Sequence, residues 1–400
     1  MGVARLMNIL VLNAGSSSLK AKLYGFAAAT NAGTAAGRRG AFLWTAHAEW
    51  GREAGKAVLQ SEGRERRFDI QTPADILPPV FEALAGRAVD AVGHRVVHGR
   101  DFEASARITP AVETAIRQAA ELAPLHNLIE VEAIHAAGRF FGSSVPQFAV
   151  FDTAFHATLP EAARVYPGPY EWYTSGIRRY GFHGISHQFV SARAAEMLGS
   201  RDLRLITCHL GNGASLAAVR DGRSIDTTMG FTPLEGLMMG TRSGSIDPGI
   251  LIYLVRHRSQ DPAVLDRLLN DESGLLGVSG ISGDMREIEA AIDRGDTRAR
   301  LAFDVYIHRL CREIGGMAAS LGGLDALVFT AGVGENSPRV REEACRRLGF
   351  LGIELDAAAN RTGTGDREIS PSSARIGVLV IHTDEDWQIA LECVRLLGAG

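Results

Sequence analysis

Cysteine is scarce in this sequence, and positive charge is not in excess. Four cysteines occur in 400 residues, at positions 208, 311, 345 and 393, with no CxxC pair and no spacing typical of a disulfide framework. This usage suits a reducing compartment, so we expect a cytoplasmic protein. The net charge of -4 provides no basic field for nucleic acid or an anionic membrane, so neither is expected as a partner.

Long hydrophobic runs are also missing. No stretch reaches the ~18 uninterrupted apolar residues of a membrane span. The N-terminal segment makes a poor signal peptide, because Asn8 and Asn13 interrupt its short apolar run. What is present is the composition of a globular protein, with 46% hydrophobic and 22% charged residues, in a chain long enough for two domains.

Apolar, β-branched runs that end in glycine or polar residues alternate with helical patterns, which indicates an α/β protein. Two segments, ILVLNAGSSSLKAKLYG from Ile9 and LITCHLGNGASLAAVRDGRS from Leu205, share one pattern of strand, small-residue turn and strand. This weak repeat suggests a duplicated domain that binds one ligand in a cleft. We expect domains at residues 1–152 and 153–385, with a last helix, 386–400, that packs back on the first domain.

Three glycine-rich turns at strand ends suggest a nucleotide site. GSSSLK, from Gly15, lacks the second glycine of a Walker A motif, and GVGENS, from Gly332, lacks the last glycine of the dinucleotide fingerprint. Backbone N–H groups in tight turns can nevertheless converge on an anion. One such turn is more often structural, but together with HLGNG, from His209, and a predicted helix that begins near Pro338, these turns favour nucleotide binding.

Charged side chains lie in further motifs with open alternatives. Arg95 and Arg242 are candidate anion ligands, although an arginine in a glycine–serine loop can also cap a turn. Asp152 ends a buried strand, where a carboxylate needs a cation or a proton. His183 is either a structural core histidine or a catalytic one. The TDED motif around Glu385 either compensates a helix dipole or binds Mg²⁺ beside a triphosphate.

Taken in chain order, these motifs resemble the acetokinase family of the sugar-kinase, heat-shock-chaperone and actin superfamily. The matches extend over residues 8–386 and include GHRVVHGR, FDTAFH, YGFHGISH, CHLGNGASL, SGDMREIE and FTAGVGENSP. The resemblance implies duplicated ribonuclease-H-like (actin-like ATPase) domains of βββαβαβα type with an interdomain cleft. It also implies a homodimer and a reversible, in-line transfer of the ATP γ-phosphoryl group to acetate, with ADP as co-product and Mg²⁺, or Mn²⁺ in its place, as cofactor.

The resemblance also implies roles for individual residues. Asp152, His183 and Arg242 resemble the catalytic residues, and Asn13 and Glu385 resemble the metal ligands. Five residues resemble the family's acyl-substrate site: Arg95, Val97, Leu125, Phe182 and Pro233. The ATP-binding segments give the largest set: Lys20, His209, Leu210, Gly211, Asn212, Gly213, Asp284, Met285, Arg286, Gly332, Val333, Gly334, Glu335 and Asn336.

The charges of the two reactants define the expected mechanism. Acetate and the terminal phosphate are both anions, and two unit charges 4 Å apart repel by roughly 4 kcal/mol at an effective dielectric of 20, so cationic side chains must offset the repulsion. Acetate is already ionised near neutral pH and needs no general base. We therefore expect Asp152 to orient Arg242 or a metal-bound water, whereas the family's conventional assignment makes it a proton donor or acceptor.

Other functions remain open at this point. A propionate kinase or a broader short-chain acyl kinase would share nearly every motif, and one extra methylene discriminates by only ~1–3 kcal/mol. A sugar kinase of the same fold would need polar groups around a hexose, which fits the two arginines and the apolar pocket less well. A chaperone or filament scaffold would need a peptide-binding or assembly surface in a chain that the kinase motifs already fill.

Overall fold

The computed structural model describes residues 6–15, 18–27, 40–50, 55–121 and 124–398. The chain divides into two compact units. The first unit contains residues up to 157 together with 184–189 and the segment from 384 onward, and the second contains 158–183 and 190–383. The domain boundary near Asp152 stays a prediction. Ser16 and Ser17 of the first glycine-rich turn lie outside the described residues, so the phosphate-binding turn expected there also stays a prediction.

Groups of strands and groups of helices follow one another along the described chain. The strands are β1 (Leu6–Ala14), β2 (Ser18–Ala27), β3 (Ala41–Trp50), β4 (Lys56–Ser61), β5 (Arg64–Asp69), β6 (Ala91–Val96), β7 (Ala106–Arg107), β8 (Gln147–Phe151), β9 (Arg204–Leu210), β10 (Ala214–Arg220), β11 (Arg223–Thr227), β12 (Ala326–Thr330), β13 (Arg367–Glu368) and β14 (Gly377–Val380). The helices are α1 (Leu77–Glu82), α2 (Pro110–Ala119), α3 (Pro124–Phe141), α4 (Glu161–Arg164), α5 (Tyr170–Thr174), α6 (Gly184–Leu198), α7 (Pro248–Arg258), α8 (Pro262–Asp271), α9 (Gly274–Ser279), α10 (Met285–Asp293), α11 (Thr297–Leu321), α12 (Ala331–Asn336), α13 (Pro338–Arg347), α14 (Ala357–Arg361) and α15 (Glu385–Gly398). None of the helices in the described part of the chain is both long and apolar enough to cross a bilayer.

The two units contain sheets with the same central topology. In the first unit the strand order is β5-β4-β3-β2-β1-β6-β8-β7, in which β3, β2 and β1 are antiparallel and β1, β6 and β8 are parallel. In the second unit the order is β11-β10-β9-β12-β14-β13, again with three antiparallel strands followed by two parallel additions. This repeated order is the structural counterpart of the repeat found in the sequence.

The core of the first unit forms on both faces of β1. Leu10 and Leu12 pack on one face, and Ile9 and Val11 pack on the other against α15. A strand buried on both faces reads as a continuous apolar run, which explains the ILVL sequence. On the neighbouring strand β6, a Cβ added at Gly93 would lie 2.6 Å from the sulfur of Cys393, so glycine permits the close approach of α15.

This packing determines where the polar residues of the first unit lie. Because β1, β6 and β8 are parallel, their carboxyl ends share one edge of the sheet, where ligands of open α/β sheets usually bind. Asn13, Arg95 and Asp152 all lie at or just after these strand ends, and α15 begins with Glu385 and Asp386. The sheet therefore gathers residues that are far apart in the sequence.

One local expectation needs correction in the second unit. The sequence predicts a glycine-rich turn at residues 330–336, whereas the structure has the short helix α12 there. The Glu335 carboxylate accepts a hydrogen bond from the Ala331 N–H at 2.8 Å, which satisfies a donor that the helix start would leave unpaired. The helix predicted near Pro338 is present as α13, and the Ser337 hydroxyl caps it by accepting from the Val340 N–H at 3.0 Å.

Candidate active site

Arg95 and Asp152 form a buried ion pair in the first unit. Arg95 lies on β6, and Asp152 directly follows the adjacent parallel strand β8. Arg95 Nη2 lies 2.7 Å from Asp152 Oδ2, and Arg95 Nε lies 3.3 and 3.2 Å from the two carboxylate oxygens. The action on Arg242 or a metal-bound water that the sequence predicts for Asp152 stays a prediction. Within the first unit Asp152 contacts Arg95, because neighbouring parallel strands place the two side chains together.

Burial shifts the pKa of the Asp152 carboxyl towards neutral pH. Burial raises the pKa of Asp152 to about 6; Arg95 opposes the rise, and the Glu385 carboxylate adds to it. For Arg95, burial alone would lower the pKa, but the carboxylates of Asp152 and Glu385 raise it above its ordinary value. Arg95 is therefore a permanent cation, whereas the charge of Asp152 depends on pH.

Asn13 and Glu385 direct oxygen atoms towards the same guanidinium. Arg95 Nη1 donates to Asn13 Oδ1 at 3.3 Å and lies 3.8 Å from Glu385 Oε2. Among the described residues, no group of three or more His, Cys, Asp or Glu side chains could hold a metal ion. An amide and a carboxylate oxygen nevertheless fit Mg²⁺, which usually takes one or two protein ligands and completes its shell with phosphate and water. The donor set at Asn13 and Glu385 therefore fits this ion.

Two polar residues of α3, which the sequence analysis does not assign, hold the segment that follows β6. The Val97 N–H donates to the Glu130 carboxylate at 3.1 and 3.3 Å. Asn127 accepts from the His98 N–H at 3.2 Å and donates to the His98 carbonyl at 3.0 Å. Both side chains are buried. In the sequence, the only signal for Asn127 and Glu130 is that two polar residues lie three positions apart on a helix face that is otherwise apolar.

The predicted acyl-site residues other than Arg95 differ in their surroundings. Val97 and Phe182 are buried. The Pro233 carbonyl accepts a hydrogen bond from Arg242 Nη1 at 3.2 Å. Leu125 belongs to α3, but its side chain lies outside the described part of the structure. The apolar pocket expected for the substrate methyl group therefore stays a prediction.

His183 occupies a strained backbone position in the second unit. Its φ of 54° lies in the left-handed region, which non-glycine residues seldom adopt. The Nδ1 atom lies 2.9 Å from the Ser215 hydroxyl, and the ring stacks on His209 with centroids 4.1 Å apart. Strain of this kind often accompanies a functional constraint. The contacts fix the orientation of the imidazole ring.

Arg242 and His183 meet at one glycine of the HLGNG loop. A Cβ added at Gly213 would lie 3.4 Å from Arg242 Nη1 and 3.4 Å from His183 Nε2. Burial lowers the pKa of Arg242, an effect that Asp271 opposes. A partly buried guanidinium in this setting gains stability from a bound anion. The sequence-predicted pair is therefore gathered beside the predicted phosphate loop.

The nucleotide segments of the second unit pack around the end of β9. The HLGNG loop is closed by a hydrogen bond from the Gly211 N–H to the Gly213 carbonyl at 3.0 Å. A Cβ at Gly240 would lie 2.2 Å from Asn212 Oδ1, and one at Gly283 would lie 3.0 Å from the Gly240 carbonyl oxygen. Glycine therefore permits three segments to stack closely.

The remaining nucleotide residues lie on the elements that flank this loop. Asp284 caps α10 by accepting from the Arg286 N–H at 2.9 Å, and Met285 is buried. Helix α12, which contains Gly332, Val333, Gly334, Glu335 and Asn336, packs against β9. Lys20 belongs to the first unit, where it is exposed on β2 opposite Asn13.

Comparison with known proteins identifies the family. A sequence profile described as the acetokinase family matches residues 8–391. The chain belongs to the acetokinase family. It is 50% identical to the acetate kinase of Nostoc punctiforme over 98% of this chain and 100% of that protein, and 53% identical to the acetate kinase of Gloeobacter violaceus over 97% and 98%.

Two solved structures agree with the fold. The crystal structure of Porphyromonas gingivalis acetate kinase matches with a TM-score of 0.87 at 39% identity, covering 98% of this chain and 100% of that one. A propionate kinase from Francisella tularensis matches with a TM-score of 0.86 at 37% identity, covering 96% and 98%. The α/β fold of actin-like ATPases predicted from the sequence is confirmed.

The buried Glu130 carboxyl predicts a pH-dependent stability. Burial raises the pKa of Glu130 well above its ordinary value; Arg95 and the Val97 N–H oppose the rise, and Asp152 adds to it. The folded protein then holds a proton that the unfolded chain releases above about pH 4.3. The stability contribution of this group therefore falls as the pH rises from that value towards the folded pKa.

We expect Glu130→Gln to increase the free energy of unfolding relative to wild type at pH 8, with a difference that shrinks towards pH 5. Urea unfolding at several pH values measures it. Glu132→Gln, at an exposed position on the same helix, is the control and should change stability by less than about 0.5 kcal/mol. Parallel pH profiles for wild type and Glu130→Gln would show that Glu130 is not held protonated.

Proposed function

We propose that this chain transfers the γ-phosphoryl group of ATP to acetate, reversibly, with acetyl phosphate and ADP as products. The observation that carries the proposal is the buried Arg95–Asp152 pair, which presents a permanent cation beside the oxygen atoms of Asn13 and Glu385. A second cation, Arg242, lies beside His183 and the HLGNG loop. Family membership and curated relatives named acetate kinase at about half identity support acetate as the acceptor.

The proposed mechanism assigns each charged side chain to one part of the reaction. Arg95 binds the acetate carboxylate and offsets its repulsion from the phosphate. Arg242 contacts the attacking and equatorial oxygens of the transferring group. His183 donates a hydrogen bond to it from Nε2, since Nδ1 lies against Ser215. The phosphoryl group moves in line, without a covalent enzyme intermediate, and catalysis arises from positioning and charge compensation.

Asp152 acts in this mechanism through Arg95. An ionised acetate needs no general base, and the contact with the guanidinium allows the carboxylate to fix its orientation. Asn13 and Glu385 would hold Mg²⁺, or Mn²⁺ in its place, which supplies positive charge to the β- and γ-phosphate oxygens. We assign the phosphates to Lys20 and the HLGNG loop, and the adenosine to residues 284–286 and 332–336.

A second candidate differs only in the acyl group. The likeness to a propionate kinase, with a TM-score of 0.86, favours propionate as the alternative acceptor. The family resemblance assigns the methyl group of acetate to Val97, Leu125, Phe182 and Pro233. Apolar contacts of this kind tolerate one further methylene at a cost of only ~1–3 kcal/mol.

We also propose a homodimer in the cytoplasm. Helix α7 has no buried residue, and Ile250, Ile252, Tyr253 and Val255 are about half exposed on it. Apolar side chains clustered on a helix surface in this way usually mark an interaction site. A second copy of the chain is the occupant that a symmetric oligomer would provide.

The acyl specificity is tested by a coupled assay with acetate, propionate and butyrate in the presence of ATP and Mg²⁺. We expect kcat/KM to be highest for acetate and to fall by ~10- to 200-fold with an added methylene. Faster turnover of propionate would establish the alternative acceptor. ATP hydrolysis that proceeds at the same rate without any carboxylate would contradict a kinase and favour a scaffold.

The role of Arg242 is tested by Arg242→Ala. By analogy with arginine fingers, we expect kcat to fall by about 10³- to 10⁵-fold, because the transition state loses a charge partner. The KM for ATP should change little. Arg201→Ala removes an exposed arginine of the same unit and should retain normal turnover. Near-normal kcat in Arg242→Ala would refute the assignment.

The role of Asp152 is tested by the pH dependence of kcat/KM for acetate. Below the Asp152 pKa of about 6 the carboxyl is neutral and holds Arg95 less firmly, so wild-type activity should fall as the pH drops through this value. Asp152→Asn should retain partial activity, raise the KM for acetate and lose this acid limb. Loss of all activity at every pH would favour proton transfer by Asp152 instead.

A further inference from the structure

Asp386, in the first turn of α15, contacts the proposed metal ligand Asn13. Its side chain is only 8% exposed. Asp386 Oδ1 accepts a hydrogen bond from Asn13 Nδ2 at 3.0 Å, and Asp386 Oδ2 lies 2.9 Å from Lys22 Nζ. Neither Lys22 nor Asp386 has a role in the mechanism above. The contact therefore calls for a functional explanation.

The chemistry of the amide explains why this contact matters. An asparagine presents an oxygen acceptor on one side and an NH₂ donor on the other, and only the oxygen can bind a cation. An ionised carboxylate only accepts, whereas a guanidinium only donates. Asn13 lies between one group of each kind, since its Oδ1 accepts from Arg95 Nη1 at 3.3 Å. The two partners together permit one orientation of the amide.

Lys22 forms an ion pair with the side chain that performs this task. Lys22 and Asn13 lie on the paired strands β2 and β1, and Lys22 Nζ also lies 3.7 Å from Asp384 Oδ1. Asp384 accepts from the Trp387 N–H at 3.1 Å at the start of α15. The lysine thereby links the carboxylates at the helix start to the sheet that carries Asn13.

We propose that Asp386 is a positioning residue that turns the oxygen of Asn13, rather than its NH₂ group, towards the divalent cation bound with the nucleotide, and that Lys22 supports it. The inference rests on the proposed function, because it takes Asn13 to be a metal ligand. In Asp386→Asn the neighbour can donate as well as accept, so the preference from this side is lost and only the donor Arg95 Nη1 still selects the oxygen of Asn13. The cation then meets an NH₂ group in part of the molecules.

The test measures cation binding directly. Mn²⁺ is titrated into the full-length protein with ADP present, and free Mn²⁺ is followed by electron paramagnetic resonance. We expect Asp386→Asn to weaken Mn²⁺ binding by about 10- to 100-fold, as is typical for partners of metal ligands. Asp386→Glu, which keeps an acceptor-only group, should restore most of the affinity. Glu121→Gln, at an exposed site of the same unit, should bind Mn²⁺ like wild type.

Combined variants separate the orienting role from other effects. If Asp386 acts through Asn13, the double variant Asn13→Ala/Asp386→Asn should bind Mn²⁺ no more weakly than Asn13→Ala alone. Fully additive losses would overturn the inference. Lys22→Met leaves Asp386 in place and should cause a smaller loss, so it provides a second measurement if Asp386→Asn folds poorly.

The outcomes distinguish this inference from the proposed function. Unchanged Mn²⁺ affinity in Asp386→Asn, with a loss in Asn13→Ala, would overturn the orienting role and leave the metal assignment intact. Unchanged affinity in Asn13→Ala would overturn the metal assignment, and this inference with it, whereas acetate-dependent phosphoryl transfer would still be decided by the coupled assay.

Discussion

The pairing of Arg95 with Asp152 is the interaction on which the first unit's site depends. A carboxylate as buried as Asp152 is costly unless a cation and hydrogen bonds compensate it. Removing one partner of such a pair typically costs about 3–5 kcal/mol. This cost is close to the whole free energy of unfolding of the least stable globular proteins. The pair therefore constrains the parallel order of β6 and β8, and it keeps a charged guanidinium at the sheet edge, available to a substrate anion.

In the second unit, close approach of backbone segments positions the candidate site residues, whereas in the first unit an ion pair does so. At Gly240 and Gly283 a side chain would enter space taken by Asn212 or the neighbouring backbone, and at Gly213 a Cβ would touch Arg242 and His183. The absence of a Cβ lets the HLGNG loop lie against the two catalytic candidates. It also exposes backbone N–H groups, the donors that phosphate-binding loops use. The backbone of His183 adopts a strained left-handed conformation. Strain of this kind often occurs where the position of a side chain is functionally constrained.

Much of the fold could be predicted from the sequence because its signals are local. A buried parallel strand produces an apolar run, and its polar end produces motifs such as the FDTAFH segment that contains Asp152. The contacts of Glu130, Asn127 and Asp386 could not be predicted in this way, because they join elements far apart in the chain, and a polar residue on a helix face does not indicate its partner. The contact of Asp152 with Arg95 was not predicted for the same reason, and its expected action on Arg242 or a metal-bound water stays a prediction. The α12 helix was missed because a side chain of its own last turn, Glu335, satisfies its first N–H.

The charge balance of the first unit explains why a cation belongs to this chemistry. Arg95 and Lys22 face the carboxyl groups of four residues, Asp152, Asp384, Glu385 and Asp386. With these carboxyls ionised, the cluster is negative, and an added acetate or phosphate would meet repulsion that one guanidinium does not offset. Protonation of Asp152 would reduce this charge but weaken its hold on Arg95. A divalent cation, if held by Asn13 and Glu385 as proposed, would remove the repulsion without that loss, so the proposal implies that anion binding and metal binding are coupled.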